Sequence, residues 1–340
     1  MFKFPDPKTE DPRERRMQRF LEVIPGILTW FTLVGMFVFS FFLPIWVAIF
    51  IIIFDIYWIF RTIYIAYFSV DGYRKLRRSM NIDWWERCQN IRDPKRYLKK
   101  VKEKIRSLKE SLRSQNLGNF EIKNIQKEIR LQNDFLKELK ETDKVKDSIL
   151  DYREIMHVVM FPTATEDASV IEPAIQAVAD SQFPKEQIII LLATEEREPA
   201  EKRLGKVNYL SSKFKGVFRD FLVTAHVVED YEMKAKGSNA TFAAKELVKY
   251  LEKNKIDFKK VIFSNFDCDS VCHPQYLAAL TYEFIRDPKR LQRSYQPLPM
   301  YHNNLWDTNA FVRIIVTGSS FWHIFQSTRN EGIVTFSSHS

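Results

Sequence analysis

Hydrophobic positions along this chain fall into three regimes, each with its own period. From 23 to 68 the sequence is almost wholly apolar, interrupted only by Asp55 and Arg61, and 27–54 carries no charged side chain. A single helix of that length would measure roughly 69 Å, more than twice the ~30 Å hydrocarbon core of a bilayer, so the stretch is predicted to cross twice. It is far longer than the roughly 7–15 apolar residues of a secretory signal. The break falls at Leu43-Pro44, because proline opens a helix readily and disrupts one from inside. Lys3, Lys8, Arg13, Arg15, Arg16 and Arg19 precede the first crossing, and Arg74, Lys75, Arg77 and Arg78 follow the second. Basic flanks on both sides predict that both ends are cytoplasmic, with 1–22 a cytoplasmic segment and 23–68 a transmembrane hairpin in the cell (inner) membrane.

The second regime, 71–150, is polar with a heptad rhythm. Leu98, Val101, Ile105, Leu108 and Leu112 are spaced 3-4-3-4, and Ile122, Ile125, Ile129, Leu136 and Leu139 keep the same frame with Gln132 in the vacant slot. Two helices with facing seams follow, joined by Asn116-Leu117-Gly118-Asn119 as the turn, so an antiparallel coiled-coil hairpin is expected. In the third regime, 151–340, short apolar strands at 157–161, 188–192, 221–228 and 261–266 alternate with amphipathic helices. One helix carries Ile171, Ala174, Ile175 and Val178 on a single face, with Ser169 and Glu172 suited to a capping box; others are expected around 239–251 and 274–284. Strands separated by helices predict an α/β fold with a mainly parallel sheet covered by helices on both faces.

Composition sharpens this picture in three ways. With 340 residues and 45% hydrophobic content the chain is neither disordered nor a stapled mini-protein, and its length suffices for two cores. Its three cysteines, Cys88, Cys268 and Cys272, support neither a disulfide framework nor a zinc knuckle. The charge is local: 71–150 holds 22 Lys and Arg against 13 Asp and Glu, a net +9 that equals the excess of the whole chain. A basic segment next to membrane helices points to anionic lipid headgroups, and no nucleic-acid-binding motif accompanies it.

Candidate chemistry sits at the carboxyl ends of the predicted strands, where parallel sheets bind ligands. The first strand runs into Thr163-Ala164-Thr165-Glu166-Asp167, the second into Thr194-Glu195-Glu196 and the fourth into Asp267-Cys268-Asp269. The third leads to Lys236-Gly237-Ser238-Asn239 at a helix start, where a lysine, a side-chain-free glycine and the positive helix end suit a diphosphate. Asp267 and Asp269, two apart in extended chain, are expected on one side, able to share a hard divalent cation with phosphate oxygens.

Phe161-Pro162 through Glu166, Ser181-Gln182-Phe183-Pro184, Lys236-Gly237-Ser238-Asn239 and Asp267-Cys268-Asp269, in that order, resemble the successive signatures of processive, membrane-embedded family-2 glycosyltransferases, the cellulose and hyaluronan synthase group. The resemblance covers 156–340 and implies a GT-A fold that moves a sugar, with inversion, from a nucleoside diphosphate sugar to a polysaccharide or lipid-linked acceptor. It implies nucleotide contacts from Thr165, Glu166, Glu195, Glu196, Lys236, Asn239 and Asp267, and Mg²⁺ or Mn²⁺ on Asp267 and Asp269. Gln296 would lie in a later strand on the acceptor side. Thr165 stands where Asn is usual, and Glu195-Glu196 where Asp is usual. The group's acidic general base and its Gln-x-x-Arg-Trp motif are not found by Ser340, so the base is expected beyond that residue in a longer enzyme. A catalytically incompetent sugar-nucleotide sensor or scaffold is the binding-class alternative. Trp306, His302 and Asn304 are candidates for a sugar subsite, Trp306 equally for a core position.

Overall fold

A computed structural model of the chain describes residues 11–113, 117–228, 235–301 and 305–329. It divides into two compact units, Met1–Asp71 and Gly72–Ser340. In the first unit, helix α1 (Pro12–Phe42) ends at Leu43, and α2 (Pro44–Ser79) starts on the predicted proline. Both are long and apolar enough to cross a membrane. None of the residues in α1 is buried, and Phe, Ile and Trp side chains stand exposed along both helices. The helices overrun the apolar stretch. Asp11 caps α1, accepting from the Arg13 N–H, so the basic segment before the span is helical from Pro12. Helix α2 likewise carries on through Asp71 into the basic segment 72–79 of the second unit.

The second unit begins with α3 (Trp84–Asn90) and the pair α4 (Pro94–Ser111) and α5 (Asn119–Asp143). Asp83 and Asp93 cap α3 and α4, accepting from Glu86 and Arg96 N–H groups. The two long helices pack antiparallel, and Lys104 pairs with Glu128 across them at 3.3 Å. The heptad seam is buried only near its base, at Val101, Ile105 and Leu139, joined by Tyr97 and Phe135 from outside the predicted set. Toward the turn the seam residues are half exposed, since two helices alone cannot enclose a seam. At the base they share a core with Cys88, Ile91, Ile155, Ile262 and the helix α9 (Tyr276–Arg286). Glu138 on α5 locks the two parts together: it accepts from the Tyr282 hydroxyl at 2.9 Å and pairs with Arg87 and Arg286. The guanidinium of Arg87 lies 3.6 Å from the Phe135 ring centre.

The sheet has four parallel strands, β1 (Met156–Pro162), β2 (Ile188–Glu195), β3 (Asp220–His226) and β4 (Val261–Asn265), in the order β3-β2-β1-β4. The predicted strands are present to within one or two residues at most ends. Central β1 and β2 are buried throughout and read as continuous apolar runs, as strands covered on both faces must. Helices α6 (Ala168–Ala179) and α7 (Ala200–Lys213) cover Val159, Phe161, Ile188, Ile190 and Leu192 on one face. On the other, α8 (Lys236–Lys253) covers Val158, Met160, Ile189, Leu191 and Ala193. The expected capping box of α6 does not form. Asp167 takes the N-cap position, and the Glu172 carboxylate turns away to bind Lys213 and the Tyr209 hydroxyl.

His157 is fully buried in β1, with Nε2 2.7 Å from the Thr281 hydroxyl and its ring packed edge-on to Phe183. Burial pushes its imidazole down from 6.5 to about 3. The unfolded chain therefore takes up a proton that the folded chain refuses. The stabilising contribution is complete above pH 6.5 and is lost as pH falls toward 3, at up to about 1.4 kcal/mol per pH unit. Denaturation of the full chain at several pH values in that window should show this slope. His157→Gln, neutral and still able to hydrogen-bond, should flatten it; an unchanged slope would assign it to other groups.

The last described helix, α10 (Ala310–Gln326), meets the end of α2 at a glycine. A methyl group at position 72 would sit 2.4 Å from the carbonyl oxygen of Ile324 and 2.9 Å from its Cγ2. Gly72→Ala should therefore separate the two helices at a cost of about 1–3 kcal/mol. Faster amide exchange in α10, with the sheet unaffected, is the expected signature.

Candidate functional site

All four strands point their carboxyl ends to the same edge of the sheet, and the strand order reverses between β1 and β4. Open parallel sheets bind ligands in the crevice at such a reversal; here the chain leaves both strands toward the face that α6 covers, where Cys268, Cys272 and Leu277 join its core. The register Met160 with Asn265, continued by the Phe266 N–H donating to the Met160 carbonyl at 2.9 Å, brings both strand ends level. Thr163–Asp167 follows β1, Asp267–Ser270 follows β4, and Lys236 opens α8.

The loop after β1 is built around Glu166. Its Oε2 accepts from the Thr163 hydroxyl at 2.9 Å and from the Ala164 and Thr165 N–H groups at 2.7 and 3.1 Å. Burial pushes this carboxyl upward, but the backbone donors outweigh it and hold it below the usual carboxylate range. Two lysines on one row of α7 fasten the loop from below. Lys202 pairs with Asp167 at 2.8 Å, and its hydrogen bond holds that carboxyl down. Lys206 donates to the Thr163 hydroxyl and the Glu166 carbonyl and pairs at 2.7 Å with Glu198; the side chains of Lys206 and Glu198 are 3% and 0% exposed. Lys206 and Glu198 are missing from the sequence reading. Their one signal is that Lys206 lies a turn before buried Leu210 and two before buried Phe214, which places it on the face that the helix buries.

Lys236 and Asp267 are brought into direct contact, ammonium to carboxylate, across the crevice. Asp269, two residues further along the chain, is exposed. The expected extended geometry of Asp267-Cys268-Asp269 is not what forms: β4 stops at Asn265, and the Ser270 N–H donates back to the Asp267 carbonyl at 2.9 Å, closing a turn. The triplet thus sits in a turn beyond the end of β4. No described atom lies within 4 Å of where a side chain at Gly237 would begin, so the first turn of α8 keeps open space beside Lys236.

Other predicted residues are placed differently. Asn239 is buried, its amide donating to the Ala193 carbonyl at 2.9 Å and the Thr163 carbonyl at 3.3 Å, so it ties α8 to the ends of β1 and β2. Glu195 is buried and paired with Arg197, whereas the half-exposed side chain of Glu196 lies 4.0 Å from Arg203. Thr165 stays exposed, with its carbonyl accepting from Lys202. Gln296 is exposed in a segment, 293–301, without the expected strand, because its prolines and polar residues give no ladder to join. Trp306 is 80% exposed, which removes the core option; His302 and Asn304 lie outside the described residues. Cys268 and Cys272 pack against the core, and burial pushes both thiols up to about 12, so neither is a ready thiolate.

Among the described residues no group of three or more His, Cys, Asp or Glu side chains converges on a cation position. An ion of the Mg²⁺ type takes only one or two carboxylates and completes its shell with phosphate oxygens and water. No family model, curated protein or solved structure matches the chain.

Proposed function

We propose that the chain is a membrane-anchored, inverting glycosyltransferase of the family-2 type, with a GT-A fold, acting on a nucleoside diphosphate sugar from the cytoplasmic side. The observation that carries the reading is the Lys236–Asp267 contact at the β1/β4 reversal, with a lysine at a helix start against a strand-end carboxylate and Asp269 exposed two residues further on. A cationic donor, two carboxylates and an open helix N-terminus are what a diphosphate and its counter-ion require.

In this reading Lys236 turns from Asp267 to the diphosphate when the donor binds. Asp267 and Asp269 would hold Mg²⁺ or Mn²⁺, which would neutralise charge on the departing diphosphate. Glu166 shapes the loop that meets the nucleoside. The acceptor, a polysaccharide or a lipid-linked saccharide, approaches from the Gln296 side, and its hydroxyl attacks the anomeric carbon opposite the leaving group. The transmembrane hairpin keeps the site at the membrane.

The test is nucleotide release by the full chain, in detergent with Mn²⁺, from a panel of UDP- and GDP-sugars, alongside calorimetric binding of UDP and GDP. Binding of at least one nucleotide with slow donor hydrolysis is expected. Failure of every nucleotide to bind in Mg²⁺ or Mn²⁺ would sink the transferase reading.

A further inference from the structure

We propose that α10 is an interfacial helix that lies against the bilayer, its exposed stripe immersed at the boundary between lipid headgroups and acyl chains. This extends the membrane reading of α1 and α2 and does not depend on the transferase assignment. At about 100° per residue, Phe311, Ile314, Ile315, Gly318, Phe321 and Trp322 fall within a sector of about 120° on the helix. Five of the six large side chains in that sector are 72, 72, 53, 49 and 41% exposed in chain order, and the sixth, Phe325, ends the stripe in the last turn, where it is buried in the protein. The opposite side is spent on the protein: Ser320, His323 and Ile324 are buried, and the Tyr301 hydroxyl lies 3.3 Å from His323 Nε2. Trp306, 80% exposed just before the helix, lies over the Arg313 guanidinium, an aromatic and a cation suited to the headgroup level. Isolated exposed apolar residues are ordinary on a protein surface, but a continuous stripe of Phe, Ile and Trp with no acidic residue in the helix is not.

What covers the stripe follows from where α10 is held. Its Ile324 packs on Gly72 of α2. Gly72 lies four residues beyond Phe68, the last of the apolar stretch, a helix rise of about 6 Å. The headgroup layer outside the hydrocarbon core is about 5–8 Å thick on each side, so a point about 6 Å beyond the apolar stretch lies within that layer, the level at which an interfacial amphipathic helix binds. The basic residues Arg74, Lys75, Arg77 and Arg78 that follow Gly72 mark the same level as the headgroup zone.

The full chain, reconstituted in phosphatidylcholine–phosphatidylglycerol vesicles, can be probed with the photoreactive residue benzoylphenylalanine placed singly at 311, 315 or 322. The same probe goes at 53 in α2 as a bilayer control and at 209 in α7 as an aqueous control. All five positions are exposed, so the probe need not disturb packing. Mass spectrometry after illumination should find lipid adducts at 311, 315 and 322 at least about fivefold above position 209. Lipid adducts at 53 but not along α10, or adducts of α10 to a second copy of the chain, would overturn the proposal. Absence of lipid adducts at 53 as well would overturn the spanning helices together with it.

Discussion

Replacing Lys206 by methionine should destabilise the second unit by about 3–5 kcal/mol, because it leaves the Glu198 carboxylate buried without its counter-ion. The pair is 2.7 Å apart and almost fully enclosed, and methionine keeps the length of the stem while removing only the charge and its donors. Two further bonds go with it, to the Thr163 hydroxyl and the Glu166 carbonyl, so the loop after β1 loses its support from below. Thermal unfolding of the full chain measures the loss. The double variant Lys206→Met with Glu198→Leu should recover most of the stability, since neither charge is then stranded, yet not the loop order. A loss below about 1 kcal/mol for the single variant would mean that water reaches the pair and that it behaves as a surface ion pair.

That ion pair also marks the limit of what the sequence makes legible. The helices and strands are readable because burial writes a pattern: short uninterrupted apolar runs in β1 and β2, a period of 3.6 in α6, 3.5 in the α4–α5 seam, and a long uninterrupted run in α1 and α2. The positions of Lys236 and Asp267 at strand and helix ends follow from the same alternation. What the period cannot carry is contact between elements distant in sequence. Lys206 reaches the Thr163 loop from another helix, and Glu138 joins α5 to Tyr282 across 144 residues. Asn239, beside a lysine and a glycine, reads as a ligand contact; the fold spends it on two backbone carbonyls. Asp267-Cys268-Asp269 reads as extended chain because the turn that closes on Ser270 depends on where β4 leaves β1. The exposed stripe of α10 was hidden for a different reason: apolar periodicity says that a face will be covered, never whether protein or lipid covers it.

The metal-site prediction separates the two ways in which the crevice could hold a nucleotide. If Asp267 and Asp269 hold a divalent cation against a diphosphate, nucleotide affinity must rise with metal, since the cation offsets the repulsion between those carboxylates and the phosphates. Asp269→Asn should then lower metal-dependent UDP or GDP affinity by on the order of tenfold or more, about 1.4 kcal/mol or above. It should leave the fold intact, because the side chain is exposed and outside every core cluster. Lys236→Ala acts through the other half of the site. It removes a phosphate donor, so nucleotide binds more weakly with or without metal, but it also uncovers Asp267, so Mn²⁺ alone should bind more tightly than to the parent chain. Opposite signs for metal and nucleotide in one variant are not produced by misfolding, which would weaken both. Calorimetry on the full chain in detergent, with Mn²⁺ and then with excess chelator, reads each term in turn. Equal nucleotide affinity in the two conditions would refute the cation, and the Lys236–Asp267 contact would then be a latch that the diphosphate opens by competing for the ammonium alone.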